Sequence, residues 1–292
     1  MILNQQTLDA IYQSFSLVFD NAFNDITPIY QRIAMIVQSQ SREQKYGFMG
    51  AFPRMREWVG DRVLQNLSTH DFTINNKDFE STIEVDRNDI EDDNLGIYNP
   101  IVQEFARVAA THPDELIFEL FKDGSVNECY DGKAFFAANH TVNGSSVSNF
   151  ADDSGTPWYL LDLSRAVKPF VFQNRRTVEF VSLDNLKDAN AFFKRKYIYG
   201  VDVRYNTGYG LWQLAYRSEK TLDSTNYSAA RSAMMQYTDD TGRPLGIMPT
   251  ILIVPPSLEG EARALLMNDV TSTGATNTWK GTSELLVVPW LG

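Results

Sequence analysis

Residues 99–124, NPIVQEFARVAATHPDELIFELFKDG, are the clearest helical signal in the chain, and a helix this long dictates what can pack beside it. Asn99 is placed to cap the start, and Pro100 suits the first turn, where no amide partner is needed. Ile101, Phe105 and Val108 recur at three- and four-residue spacing, which predicts one buried face. Leu116, Ile117, Leu120 and Phe121 continue that face, while Ala106, Ala109 and Ala110 allow close approach. Pro113 removes a backbone donor and crowds the preceding turn, so it either kinks one long helix or divides it, with Thr111 as a second cap. Gly124 is placed to end the helix in the left-handed conformation.

Composition excludes several classes. A chain of 292 residues can build one large domain or two smaller ones, and 43% hydrophobic content rules out a disordered protein. The balance of 37 acidic against 26 basic residues gives a net charge of -11, which argues against a sequence-specific nucleic-acid binder and keeps a concentrated protein soluble. The single cysteine, Cys129, allows no internal disulfide and points to a reducing compartment. The opening MILNQQTLDAIYQSF lacks the basic and apolar regions of a signal peptide, and no run is apolar enough for a membrane helix, so no membrane partner is expected.

Residues 6–24 read as an amphipathic helix with Leu8, Ile11, Tyr12, Phe15, Val18, Phe19 and Phe23 on one side. Its partner is expected to be the chain's own core, the alternative being a neighbouring subunit. Pro28 interrupts it, and residues 29–38 suggest a second short helix. Residues 41–70 show no sustained period. They carry Phe52, Arg54, Arg56, Trp58 and Arg62, residue types enriched where proteins meet. Residues 71–86 alternate as a hairpin around Asn75-Asn76-Lys77, with Phe79, Ile83 and Val85 on one face. An acidic run, 86–93, follows. Residues 125–157 are loop-rich. Residues 158–217 are β-like, with Gly208-Tyr209-Gly210 as a bend or bulge. A helix at 224–237 capped by Ser224, a strand at 250–254, a helix at 257–267 and a strand at 284–291 suggest a small α/β layer. The whole chain reads as α+β.

No phosphate loop, dinucleotide fingerprint, HExxH or paired CxxC is present, and no cofactor is expected. Cys129 with His140 sketches a nucleophile and base, and His112 with Glu115 has the spacing of some metal pairs. Three histidines in all make a metal cage hard to assemble, and neither pair outweighs chance. Asp86, Asp89, Glu91, Asp92 and Asp93 lack the calcium-loop pattern and read as a solvated or partner-facing surface. An apolar N-terminal arm, an irregular arginine- and tryptophan-bearing loop, a long helix and extended ribbons are features of a self-assembling subunit.

Several stretches carry a resemblance. FPRMREWVGDR, FTINNKDFESTIEVDRNDIEDDNLGIYNP, HPDELIF, CYDGKAFF, PWYLLDLSR, YGVDVRYNTGYGLWQLAYRS, GRPLGIMPTILIVPPSLE and WKGTSELLVVPWL resemble, in collinear order from about residue 47 to 291, the major head subunit of Mu-like tailed phages and prophages. The resemblance implies the Hong Kong 97-type capsid fold: an N-terminal arm (1–44), an extended loop (45–78), a peripheral domain (79–221) with a spine helix at 99–122, and an axial domain (222–292). It implies a major capsid protein of the virion that assembles with itself in hexamers and pentamers, in the host cytoplasm, around double-stranded DNA touched non-specifically. Scaffold, portal and decoration proteins are the further partners it implies. The expected inter-subunit contacts pair Arg54, Arg56 and Arg62, with Phe52 and Trp58, against Asp86, Asp89, Glu91, Asp92 and Asp93 of an adjacent copy. The readings that compete are another virion part, a decoration or tail-tube subunit, and a Cys-dependent hydrolase around Cys129.

Overall fold

The computed structural model describes residues 4–49, 69–92, 95–271 and 273–292. Its first elements are α1 (Gln5–Asn24), α2 (Tyr30–Ile33), β1 (Ala34–Gln38), β2 (Glu43–Met49), β3 (Thr69–Asn75), β4 (Lys77–Asp86), α3 (Arg87–Glu91) and α4 (Asn99–Asp123). Then come β5 (His140–Val142), β6 (Ser145–Val147), β7 (Phe150–Ala151), β8 (Trp158–Leu161), β9 (Phe170–Leu183), α5 (Ala189–Lys194) and β10 (Lys196–Tyr209). The chain ends with β11 (Ala215–Ser218), α6 (Ser224–Met235), β12 (Ile251–Val254), α7 (Glu259–Leu266) and β13 (Glu284–Val287). A four-stranded sheet has the order β1-β9-β10-β4, and a five-stranded sheet the order β13-β12-β8-β11-β7. The second sheet therefore takes strands from both sides of residue 222. Two-stranded ribbons, β2-β3 and β5-β6, complete the pairing.

The long helix forms as one element, so Pro113 does not divide it. Thr111 is not a cap: its hydroxyl donates back to the Arg107 carbonyl at 3.0 Å. Asn99 lies inside the helix, and Tyr98 occupies the cap position without a side-chain bond. The buried stripe is Val102, Phe105, Ala106, Ala110, Pro113, Ile117, Phe118 and Phe121. Ile101 and Val108 are 47% and 44% exposed, because α1 and β10 approach α4 from a different side than one apolar stripe suggests. Gly124 is right-handed, with φ -64°. It is needed for space, since a Cβ there would meet the Phe136 ring at 2.6 Å.

Other local expectations are corrected by non-local pairing. Helix 29–38 stops at Ile33, and 34–38 joins β9 in parallel register. The segment 41–70 is regular at both ends, where β2 and β3 pair antiparallel. The hairpin expected at 71–86 has its strands but not its pairing: β3 pairs with β2, and β4 with β10. Asn76 joins the two strands instead of reversing them. Its Nδ2 donates to Ser39 Oγ (3.1 Å) and the Ser41 carbonyl (2.8 Å), and its Oδ1 accepts from Gln173 (2.7 Å). Register shifts in β10 fall at 202–205 and not at the Gly-Tyr-Gly run. Gly208 instead admits Ile74, whose Cδ1 lies 2.4 Å from the site of a Cβ. Asp223, not Ser224, caps α6 by accepting the Asn226 amide at 2.8 Å.

Two apolar clusters make the core. One joins Leu8, Ile11, Phe15 and Phe19 of α1 to Val102 and Phe105 of α4 and to Phe180, Tyr197 and Tyr199 of the sheet. Phe19 stacks on Phe180 at 5.1 Å, and Phe15 meets Tyr199 edge-on at 5.3 Å. The expectation that α1 packs on its own chain holds. The larger cluster gathers Ile117, Phe118 and Phe121 with β8, β12 and the helices of the C-terminal part.

Between the clusters, next to Pro113, buried Asp114 accepts the amides of Ile29 (3.1 Å) and Tyr30 (2.6 Å), the open start of α2. Burial raises its carboxyl above the usual range, with the two amides opposing. Asp114→Ala leaves both amides without their acceptor. A loss of about 1–3 kcal/mol per amide is expected, read as a lower urea midpoint for the isolated subunit. An unchanged midpoint would show that Asp114 does not hold the arm.

Candidate assembly surfaces

Within the acidic run, Arg87–Glu91 forms α3, and three of its described carboxylates have partners within the chain. Asp86 caps α3 by accepting the Asn88 amide at 2.8 Å, and Lys196 Nζ lies 3.3 Å away. The amide bond and the lysine hold its carboxyl below the usual range, against slight desolvation. Asp89 accepts the Tyr98 hydroxyl. Glu91 pairs with Arg87 at 2.7 Å. Asp92 is exposed and makes no ion pair among the described residues. Asp93, Phe52, Arg54, Arg56, Trp58 and Arg62 lie outside the described residues. Asp86, Asp89 and Glu91 thus each have a partner within the chain.

A second acidic surface runs along β4, as its alternation predicts. β4 is the edge of its sheet, and Asp78, Glu80 and Glu84 stand exposed along it. Between β4, α4 and β10 lies an open groove of about 420 Å³, with Phe79, Val108, Val201 and Val203 in its walls and Asp78 and Glu80 at its rim. His112 lines it too. Its ring meets Phe79 at 4.6 Å, its Nδ1 lies 2.7 Å from the Tyr205 hydroxyl, and burial lowers its pKa. His112 is therefore engaged in packing, while Glu115 is exposed.

Sequence reasoning missed the tip between β9 and β10. There α5 presents Phe192 and Phe193, 76% and 78% exposed, with rings edge-to-face at 5.0 Å. Asn190 fastens the tip by donating to the carbonyls of Leu183 (3.0 Å) and Lys196 (2.7 Å). Arg195, at φ 55°, turns the chain into β10. The signal was an aromatic pair beside Lys194-Arg195-Lys196. Adjacent residues of a helix lie about 100° apart, and a helix as short as α5 at the end of a ribbon does not bury both.

Cys129 has no nucleophilic setting. It is buried, its thiol donates to Asp131 Oδ1 at 3.2 Å, and burial with the Asp131 charge pushes its pKa well up. Asp131 also separates it from His140, whose Nδ1 lies 2.6 Å from Asp131 Oδ2. Among the described residues, no helix is long and apolar enough to cross a membrane.

Among the described residues, geometry thus gives exposed apolar and charged patches on a frame of two sheets and one long helix. Known proteins agree with that picture. The family model described as Mu-like prophage major head subunit gpT matches residues 8–291. The major capsid protein of Escherichia phage Mu is 41% identical over 305 aligned positions, covering all of both chains. The Mu-like prophage FluMu major head subunit of Haemophilus influenzae is 37% identical over 89% of each. Among solved structures, a subunit of the bacteriophage JBD30 procapsid superposes with a TM-score of 0.88 at 38% identity, over 99% of this chain and 100% of that one. The JBD30 capsid follows at 0.81 and 29%, over 90% and 91%. The fold is that of these capsid subunits, the Hong Kong 97 type. The chain belongs to the Mu-like major head subunits, the structural proteins from which the shells of such phages are built.

Proposed function

We propose that copies of this chain close into an icosahedral shell of pentamers and hexamers around double-stranded DNA, assembling in the host cytoplasm and doing no catalysis. The near full-length match to a procapsid subunit carries this reading. Closed symmetry multiplies modest contacts, so weak pairwise interfaces sum to a stable shell. Net charge of -11 favours only loose, non-specific contact with packaged DNA. Scaffold and portal proteins complete assembly in this reading. A JBD30 capsid is decorated with minor capsid protein trimers, which supports a decoration partner here. Strand pairing favours a domain division that counts β7, β8 and β11 with residues 222–292, leaving the arm (1–44), extended loop (45–78) and remaining peripheral domain as expected.

Loop residues Arg54, Arg56 and Arg62, with Phe52 and Trp58, lie across a neighbouring copy and meet its acidic surface. Asp92, which makes no ion pair among the described residues, and Glu80 and Glu84 on β4 receive them together with Asp93 of the run; Asp78, 3.5 Å from Arg204, and Asp86, Asp89 and Glu91 border that surface. Each exposed pair contributes about 0.2–1 kcal/mol, so the pairs set register more than affinity. Phe192 and Phe193 form a further contact between copies, because two exposed aromatic rings gain most from burial in an interface.

Negative-stain microscopy of the concentrated, purified protein tests the main reading. Closed shells, or rings of pentamers and hexamers, are expected; tubes of a single ring symmetry would favour a tail-tube subunit. Arg54→Glu with Arg56→Glu is expected to lower shell yield in sedimentation, and assembly at the wild-type level removes the charge pairing. Phe192→Ser with Phe193→Ser is expected to change subunit stability by no more than about 0.5 kcal/mol while reducing shell yield severalfold. Full assembly of that variant would place the pair outside any interface.

A further inference from the structure

Asn149 is buried beside the loop that carries Cys129 and Asp131. Its Nδ2 donates to the carbonyls of Phe135 (2.8 Å), Trp212 (3.3 Å) and Ala215 (3.2 Å), which pins the amide. Its Oδ1 is then an acceptor, and it takes the Ala137 amide at 2.9 Å. His140 Nε2 lies 3.2 Å from that same oxygen, so Nε2 carries a proton. In that tautomer the Nδ1 lone pair faces Asp131 Oδ2 at 2.6 Å. Two acceptors at that distance require a positive centre between them, either a proton or a metal ion. On the other side of the carboxylate, Cys129 Sγ lies 3.2 Å from Oδ1. The three donor atoms lie within 4.8 Å of one another.

We propose that Cys129 Sγ, the Asp131 carboxylate and His140 Nδ1 hold a divalent metal ion, zinc by the chemistry of the set. Thiolate, carboxylate and imidazole are all zinc ligands. Two anions and a neutral ring cancel the charge of a divalent ion, which suits a largely buried place. The Nε2–H bond to Asn149 is the outer bond that orients a metal-bound imidazole. Trp212, stacked on the ring at 4.0 Å and 7°, holds its plane. A tight turn through Gly132, at φ 73°, sets Cys129 and Asp131 beside each other. Asp131 borders a small cavity of about 50 Å³, shared with Gln213 and Thr238, which has room for a water on the solvent side of the carboxylate. A tetrahedral ion separates its ligand atoms by about 3.3 Å. Binding therefore requires the 2.6 Å pair of Asp131 and His140 to open, and Asp131 is the partly exposed member of that pair. Binding exchanges the Cys129 thiol proton, released to solvent, for the ion.

The full-length subunit, stripped with chelator, is titrated with cobalt(II) and then zinc. One equivalent of cobalt per chain is expected, with a near-ultraviolet thiolate-to-cobalt band that zinc abolishes. The melting temperature should rise with zinc concentration. Cys129→Ser and Asp131→Asn should lose the zinc-dependent rise, and Cys129→Ser also the band. A folded wild-type subunit with no cobalt band, or a zinc-dependent rise kept in both variants, would overturn the site and leave a proton as the bridge.

Discussion

Everything in the subunit depends on one helix lying across two cores. α4 buries Val102 and Phe105 in the cluster around α1 and the far end of the β9-β10 ribbon. Three turns later it buries Ile117, Phe118 and Phe121 in the cluster that holds the five-stranded sheet. Neither cluster closes without it, so the helix transmits position from one end of the subunit to the other. Pro113 falls between the two, where the missing amide bond matters least to either. Its neighbour Asp114 uses the same place to tie down α2 and, through α2, strand β1.

Loss of a buried cap also shifts what hangs from it. β1 pairs with β9, and the turn after β1 leads into β2 and the extended ribbon. Asn76 pins the other root of that ribbon to Ser39, Ser41 and Gln173. A two-stranded ribbon is only as well aimed as its two roots. Both roots are fixed by polar side chains in partly buried ground, where directional bonds set angles better than apolar packing does.

Much of this was legible in the sequence, and the failures share a cause. The faces of α1 and α6 follow from periodicity alone, and Tyr227, Ala230 and Met234 are buried as spaced. For α4 the one-face assumption chose Ile101 and Val108, because the helix carries apolar residues on two sides and spacing cannot rank them. Asn75-Asn76-Lys77 has turn chemistry, yet β3 and β4 found partners far along the chain, and the asparagine served as an anchor. At the candidate surfaces, the acidic residues were visible but their local partners Tyr98, Arg87 and Lys196 were not. The Cys129, Asp131 and His140 set was half seen, as a nucleophile and base. Its meaning depends on Asn149 and Trp212, which only the fold brings there.

An assembly of many identical copies must also forbid wrong contacts. β4 is ten residues long and its outer edge is unpaired among the described residues, the kind of edge that invites pairing with another chain. Asp78, Glu80 and Glu84 stand along it. Two such edges brought together would set like charges opposite each other, which is destabilising. The same charges leave the edge open to a segment that brings arginine. Acidic residues on β4 thus disfavour the symmetric pairing of two copies through this edge.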